Sequence, residues 1–155
     1  MDRRVYLAAR VRPLTPRELS MGSKTCIVVD GNCTTIVNPD TGDAKAFVLD
    51  FSYDSSDASA ARGRGGEEDG DAKAGWHADN YTVFKDIGTA MLLNALEGLN
   101  TSFFAHGQLG TGKTYTLIGE EADPGLLPRL LEALFQQDSV LDGQTQVTIK
   151  FMEVR

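Results

Sequence analysis

The feature that most constrains this chain is the octapeptide GQLGTGKT, which begins at Gly107 and ends at Thr114. Glycines at its first, fourth and sixth positions allow a backbone with positive φ and keep Cβ atoms out of the way of a close approach. Lys113 and Thr114 complete the pattern G-x-x-x-x-G-K-[ST]. This pattern is typical of a loop whose backbone amides hold phosphate oxygens.

The flanking residues predict a strand–loop–helix unit around the octapeptide. The run TSFFA at 101–105 predicts a short buried strand, and KTYTLI predicts a helix that opens at Lys113. In such a unit the loop amides and the first helical turn point at the anion. Lys113 would bridge the β- and γ-phosphates of a nucleotide, and the Thr114 hydroxyl would ligate Mg²⁺. A glycine-rich turn with an exposed lysine is the alternative that the motif alone leaves open.

Charge and cysteine content limit the partners of the chain. The 155 residues carry a net charge of −7, which argues against nucleic acid or an anionic membrane as a partner. No apolar run approaches the roughly 18 residues of a membrane helix, and arginines interrupt the N-terminal apolar stretch too early for a signal peptide. Cys26 and Cys33 are too few for a disulfide framework. A turn around Asp30-Gly31 would place position 26 opposite position 35, which predicts free thiols in a reducing, intracellular setting.

Hydrophobic periodicity outlines the remaining elements and an α/β fold. We expect a strand at 4–9, a loop with at most one helical turn, a hairpin in TCIVVDGNCTTIVN and one strand in AKAFVLDFSYD. A helix from Asp79 to about Gly98 presents a core stripe, and a second helix follows near Leu127. A last strand in TQVTIKFMEV places three apolar residues on one face. The core stripe consists of Phe84, Ile87, Met91 and Ala95. The apolar residues of the second helix are Leu127, Leu130, Leu131, Leu134 and Phe135. The apolar face of the last strand carries Val147, Ile149 and Phe151.

Residues 55–79 differ in composition from the rest of the chain. Glycines alternate there with charged residues and no apolar period is present, so we interpret the segment as a long disordered surface loop. Trp76 and His77 at its end have two interpretations, a recognition point or a loop end that packs against the body. We favour the second.

The blocks around the octapeptide resemble the kinesin motor family. FFAHGQLGTGKTYTLIG is similar to F-A-Y-G-Q-T-G-S-G-K-T-Y-T-M-x-G, and RVRPLTPRE matches the family's R-x-R-P element. FSYD follows a strand as in the family, DPGLLPRLLEALF resembles its G-I-I-P-R helix, and VTIKFMEVR resembles the strand that ends in E-I-Y-N-E. These blocks run in the family's order from about residue 4 to residue 155. The stretch VFKDIGTAMLLNALEGLN is most similar to the kinesin-3 class.

The resemblance implies a fold and a site. The fold is a P-loop NTPase-like mixed β-sheet with flanking helices, of which residues 1–155 form the N-terminal portion, with 55–79 as an insertion. ATP and Mg are the implied ligands. Lys113 stabilises the transferred phosphoryl group, and Thr114 ligates Mg. Arg10, Arg12 and Pro13 would line the adenine pocket, although a solvated basic N-terminus is an alternative for the two arginines. The implied nucleotide-binding set is Gly107, Gln108, Leu109, Gly110, Thr111, Gly112, Lys113, Thr114, Tyr115, Arg10, Arg12 and Pro13.

Two residues depart from the family pattern. Leu109 stands where threonine is usual, and His106 stands where tyrosine is usual. His106 precedes the octapeptide, so we interpret it as a residue that packs beside the predicted strand rather than as a catalytic base.

The switch motifs N-x-x-S-S-R and D-L-A-G-x-E of the family are not found in these 155 residues. Hydrolysis needs such groups to position water and Mg²⁺, so no complete catalytic set is expected here and the chain alone should not turn over ATP. The resemblance implies a microtubule-stimulated ATPase as the parent, with tubulin contacts beyond residue 155 and a cytoplasmic, cytoskeletal location. A stand-alone, non-hydrolysing nucleotide-binding module is the alternative.

Overall fold

The computed structural model of the chain divides it into two units, Met1–Asp79 and Asn80–Arg155. Each unit has its own short strands or helices and is described by itself. The residues that the structure describes are 5–56, 78–137, 140, 142, 146–150 and 152.

The first unit contains two small sheets. Its elements in chain order are β1 (Ala8–Val11), α1 (Pro16–Ser20), β2 (Ile27–Asp30), β3 (Cys33–Val37), β4 (Ala44–Val48) and β5 (Phe51–Asp54). β1 and β5 pair in parallel, with Ala8 opposite Phe51, whereas β2, β3 and β4 form an antiparallel sheet. The Thr34 hydroxyl in β3 donates to the Ser52 hydroxyl in β5 at 3.0 Å, which connects the two sheets. Among the residues of this unit that the structure describes, Tyr53 in β5 is the most buried large side chain.

Two predictions for the first unit are wrong in detail. The strand predicted at 4–9 begins later, at Ala8, and the described residues before it are exposed. AKAFVLDFSYD forms two strands, β4 and β5, because the chain changes partners between them: the Leu49 amide donates to the Asn32 carbonyl, and the Asp50 amide donates to the Leu7 carbonyl. A strand is defined by its partner, so one apolar run can serve two sheets.

The hairpin of β2 and β3 is confirmed with a shifted register. Asp30 lies opposite Cys33, so the turn residues are Gly31 and Asn32 rather than Asp30 and Gly31. The Val37 amide donates to the Cys26 carbonyl at 2.8 Å, which places position 26 opposite 37 and not 35. Both cysteines are free, as predicted.

The second unit is mainly helical. Its elements are α2 (Asn80–Val83), a π-helical turn (Phe84–Gly88), α3 (Thr89–Leu96), α4 (Lys113–Leu117), β6 (Gly119–Glu120), β7 (Asp123–Pro124) and α5 (Leu126–Phe135). The predicted helices are thus confirmed. The first ends where expected, because Gly98 adopts φ 81° just after its last turn. None of the helices in the described ranges is long and apolar enough to cross a membrane.

The core of the second unit lies where the π-helical turn meets α5. Val83 and Leu126 are each 2% exposed, and a Cβ on Gly88 would lie 2.9 Å from the Leu126 Cδ1. The missing side chain at Gly88 therefore lets α5 approach closely. The predicted stripe is buried only in part: Phe84, Ile87 and Met91 are half-buried, and Ala95 is exposed.

Two predicted strands are not present among the described residues. Residues 101–105 and 146–150 join no ladder, and Phe104 is 86% exposed. Both runs have the expected apolar content, but a strand also requires a hydrogen-bonding partner. Phe151 lies outside the described residues.

The ends of the predicted 55–79 loop meet. The Ala78 amide donates to the Asp54 carbonyl at 2.8 Å, and the Ser55 hydroxyl donates to the Ala78 carbonyl. Ser55 and Ala78 are both buried. Residues 57–77, including Trp76 and His77, lie outside the described residues, so both interpretations of those two side chains stay predictions.

Candidate functional site

The phosphate loop, residues 107–114, has the backbone that its glycines predict. Gly107, Gly110 and Gly112 adopt φ values of 150°, 78° and 91°. L-residues with a side chain rarely adopt these angles. A Cβ built on Gly110 or Gly112 would find no heavy atom within 4 Å, so the space next to each of these two glycines is open.

Lys113 closes the phosphate loop on itself. Its Nζ donates to the Gly107 carbonyl at 2.8 Å and to the Gln108 carbonyl at 2.6 Å. The Thr111 hydroxyl donates to the same Gln108 carbonyl at 2.8 Å. The ammonium group is therefore held against the loop by charge-assisted hydrogen bonds.

The residues around the loop are mostly solvent-accessible. Thr114 is exposed in the first turn of α4, and Leu109 is fully exposed at the loop tip. His106 is also exposed, so the prediction that it packs beside a strand is wrong. The physical reason is that 101–105 forms no strand in the described residues against which an imidazole could pack.

Tyr115 is fixed at both of its ends. Its hydroxyl donates to the Asp123 Oδ2 at 2.8 Å. Its backbone carbonyl accepts a hydrogen bond from the Asn80 Nδ2 at 3.3 Å, and the same Nδ2 donates to the Asp123 carbonyl at 2.9 Å. Asn80 is only 1% exposed, so these bonds satisfy a buried amide. The ring itself remains 38% exposed.

Asp123 is itself held by Arg129. The Arg129 guanidinium donates to the Asp123 Oδ1 at 3.2 Å and to the Pro124 carbonyl at 2.8 Å. It also lies 5.5 Å from the centroid of the Tyr81 ring. Sequence reasoning missed this network, because GEEADPG was interpreted only as a helix break. The one sequence feature that could have indicated this network is Asp123, an acidic residue directly before Pro-Gly at the start of α5.

Arg10 and Arg12 are engaged within the first unit. The Arg10 Nε donates to the Ser55 hydroxyl at 3.0 Å, and its NH2 group donates to the Ala78 carbonyl at 3.1 Å. Both arginines and Pro13 are half-buried. The alternative of a solvated basic N-terminus is therefore wrong for the two arginines. Their predicted place in an adenine pocket with Tyr115 combines residues of both units and stays a prediction.

Arg12 makes a two-point ion pair with Glu18. Its two terminal nitrogens donate to the two carboxylate oxygens at 2.8 and 2.7 Å. This hydrogen bonding, with the backbone amide of Thr15 as a second donor, lowers the pKa of Glu18 from 4.5 to about 2. The hydrogen bond to Glu18 raises the pKa of Arg12 in turn, against a smaller opposing effect of desolvation.

The described residues limit how a metal ion could be bound. No group of three or more His, Cys, Asp or Glu side chains in the described ranges could hold one. Mg²⁺ fits such a surrounding when most of its ligands are phosphate oxygens and water, since it keeps several waters and often takes few protein ligands. The exposed Thr114 hydroxyl, next to Lys113, is then the protein oxygen that fits the ion.

Comparison with known proteins identifies the class to which this loop and these helices belong. The family model described as the kinesin motor domain matches residues 10–155. The chain belongs to the kinesin motor domain family. It is 38% identical to the kinesin-like protein KIF1B of Rattus norvegicus over 157 residues, which covers 97% of this chain and 8% of that protein. It is also 38% identical to KIF1C of Homo sapiens, of which it covers 13%. These relatives are kinesin-3 members, in agreement with the predicted resemblance.

Solved structures confirm the fold class. KIF14 with ADP in complex with a microtubule matches 94% of this chain with a TM-score of 0.72 and 30% identity. A two-heads-bound KIF14 dimer with AMP-PNP, also in complex with a microtubule, gives 0.74 and 31%. The chain covers 35% of each of those chains. It therefore has a partial kinesin motor fold and spans a small part of the relatives that it matches.

Proposed function

We propose that this chain is the ATP-binding part of a microtubule-based motor and that it binds MgATP at the phosphate loop. The observation that carries the proposal is the arrangement of Gly110, Gly112 and Lys113. No heavy atom lies within 4 Å of a Cβ built on either glycine, and the lysine ammonium is hydrogen-bonded to two carbonyls of the same loop. An anion that approaches there meets a fixed cation and backbone groups without a steric barrier.

Each residue of the loop has a defined task in this proposal. Lys113 exchanges one or both of its carbonyl partners, Gly107 and Gln108, for phosphate oxygens, so that its ammonium group stays hydrogen-bonded throughout. The Thr114 hydroxyl ligates Mg²⁺, which when bound neutralises charge on the phosphates. The exposed ring of Tyr115 stacks on the base, a contact that contributes about 1–3 kcal/mol per base in other proteins. The adenine contacts proposed for Arg10, Arg12 and Pro13 rest on the family resemblance.

Hydrolysis and movement are proposed for the protein that contains this sequence together with the switch motifs. Support comes from relatives: KIF14 is seen in complex with a microtubule, with ADP or AMP-PNP. We place the protein at the microtubule cytoskeleton of the cytoplasm on the same basis. The chain spans 8% of the length of KIF1B, so tubulin contacts and force transmission are assigned to the parent and not to these residues.

Calorimetric titration of the chain with MgATP tests the nucleotide site. Lys113→Ala is expected to weaken binding by about 10- to 100-fold, because a charged hydrogen-bond donor to phosphate is lost. Lys24→Ala is the matched control, since it removes an exposed lysine from the other unit and should leave the affinity unchanged. Absence of binding by the unmodified chain, or equal affinity of the Lys113→Ala variant, contradicts the proposal.

A further inference from the structure

The turn between α4 and α5 places a carboxylate directly on the side chain of Tyr115. Asp123 belongs to β7, and its Oδ2 accepts from the Tyr115 hydroxyl at 2.8 Å. The other carboxylate oxygen accepts from Arg129 at 3.2 Å. One carboxylate thus connects a half-exposed aromatic ring to a guanidinium anchored on α5.

We propose that Asp123 is a positioning residue that fixes the orientation of the Tyr115 ring and thereby sets how tightly the base of the nucleotide is held. This inference rests on the proposed function, since it assigns regulation of base recognition at the same site. In this proposal Asp123 acts through the hydrogen bond that it accepts from the Tyr115 hydroxyl.

Asp123 limits the conformational freedom of the Tyr115 side chain. A half-exposed tyrosine can occupy several rotamers, and ordering it only when a ligand binds costs part of the binding free energy. Here the backbone carbonyl of Tyr115 is held by the buried Asn80, and its hydroxyl is held by Asp123. With both ends fixed, the ring face is presented in one orientation before the base arrives.

Arg129 gives Asp123 its own fixed position. The guanidinium bonds to the Pro124 carbonyl and lies over the Tyr81 ring, so it is held from two further directions. The Asp123 carboxylate cannot turn toward water without losing this ion pair. A backbone contact supports the same geometry, because the Asn80 amide donates to the Asp123 Oδ2 at 3.3 Å.

The experiment compares two ligands, MgATP and Mg-tripolyphosphate, in calorimetric titrations of the full chain. Tripolyphosphate carries the phosphates but no base. Asp123→Ala is expected to weaken MgATP binding by about five- to twentyfold and to leave tripolyphosphate affinity within about twofold. A purely structural role would weaken both ligands together, and that result would overturn the inference.

Four further variants test the inference. Tyr115→Phe keeps the ring and removes the hydroxyl, so it should weaken MgATP binding, and adding Asp123→Ala to it should have no further effect. Asp123→Asn, whose amide oxygen can still accept from the hydroxyl, should recover most of the affinity. Additive losses in the double variant contradict the inference. Glu121→Ala, which removes an exposed neighbouring carboxylate, is the control for charge and should change neither affinity.

The failure of this inference is distinguishable from failure of the proposed function. If the unmodified chain binds neither ligand, the nucleotide site itself is refuted, and the inference with it. If it binds both and Asp123→Ala binds MgATP as tightly as before, only the positioning role is refuted.

Discussion

The Arg12 guanidinium and the Glu18 carboxylate meet at two points, with nitrogen–oxygen distances of 2.8 and 2.7 Å. Glu18 also accepts from the Thr15 amide, and the Thr15 hydroxyl accepts from the Glu18 amide, so the same carboxylate caps the start of α1. Pro16 at the first helical position completes the start signal. One acidic side chain thus holds both a helix end and the R-x-R-P segment.

This pair predicts a pH dependence of stability that Glu18→Gln removes. The pKa of Glu18 is lowered from 4.5 to about 2 in the folded chain, so its ionised form stabilises the fold. That contribution is complete above the unfolded pKa and is lost as the pH falls from 4.5 towards about 2. Urea midpoints should show the variant as less stable near neutral pH, and the difference should narrow as the pH falls towards 2.

Glu121→Gln provides the control for this pH series. It removes a carboxylate from an exposed turn outside the pair and should leave the midpoint unchanged near neutral pH. An equal loss in both variants would mean that net charge, and not the contact between Arg12 and Glu18, determines the effect.

Gly112→Ala is expected to weaken nucleotide binding with little more loss of stability than a matched control. Gly112 has φ 91° and Gly42 has φ 77°, and neither would place a Cβ within 4 Å of another atom. The backbone strain of alanine should therefore be similar at both positions, about 1–2 kcal/mol. Only the methyl group at 112 lies in the phosphate loop, so MgATP affinity should fall about 10- to 100-fold for that variant alone. Equal affinities of the two variants would contradict this.

Gly119→Ala should destabilise the second unit much more than Gly98→Ala. Both positions have positive φ, at 74° and 81°. A Cβ at 119 would lie 2.3 Å from the Asp123 carbonyl oxygen and from the Gly125 amide nitrogen, whereas a Cβ at 98 would meet nothing within 4 Å. Backbone cannot move aside as a flexible side chain can. We expect about 1–2 kcal/mol for Gly98→Ala and at least about 4 kcal/mol for Gly119→Ala, measured as free energies of unfolding.

Replacing residues 57–77 by a linker of about four residues should leave the first unit folded. The two ends of this segment are already held together, because the Ala78 amide donates to the Asp54 carbonyl. Arg10 also donates hydrogen bonds to Ser55 and to Ala78, one at each end of the segment. The shorter loop costs less closure entropy, so the free energy of unfolding should rise by about 1 kcal/mol. A large loss of stability would show that the excised residues pack against the fold, contrary to the prediction from their composition.

Local features of this chain could be predicted from sequence, and features that depend on distant partners could not. The phosphate loop and α5 follow from glycine spacing, a lysine and helical periodicity, all of which act within a few residues. A strand at 101–105 would require a neighbouring strand as its hydrogen-bonding partner, and hydrophobic periodicity does not identify that partner. The split of AKAFVLDFSYD into two strands likewise depended on Asn32 and Leu7, which lie far away in the sequence.

The candidate site shows the same limit. The motif indicated Lys113 and Thr114 as candidates, but no pattern indicated the hydrogen bonds that Tyr115 makes with Asp123 and Asn80. Asn80 precedes Asp123 by 43 residues, and no spacing rule connects an amide at a helix start with an aspartate in a turn. Such contacts arise where α2 packs against β7, and single-sequence patterns do not contain that information.

The bond between Ala78 and Asp54 also bears on how relatives of this protein can diverge. Because the chain returns to the point where it left the strand, mutations that lengthen or shorten the intervening segment do not shift the register of β1 and β5. Closure costs grow only slowly with length, so selection on stability is weak there. Lineages can therefore gain, lose or rewrite sequence at this position while the parallel pair is inherited unchanged.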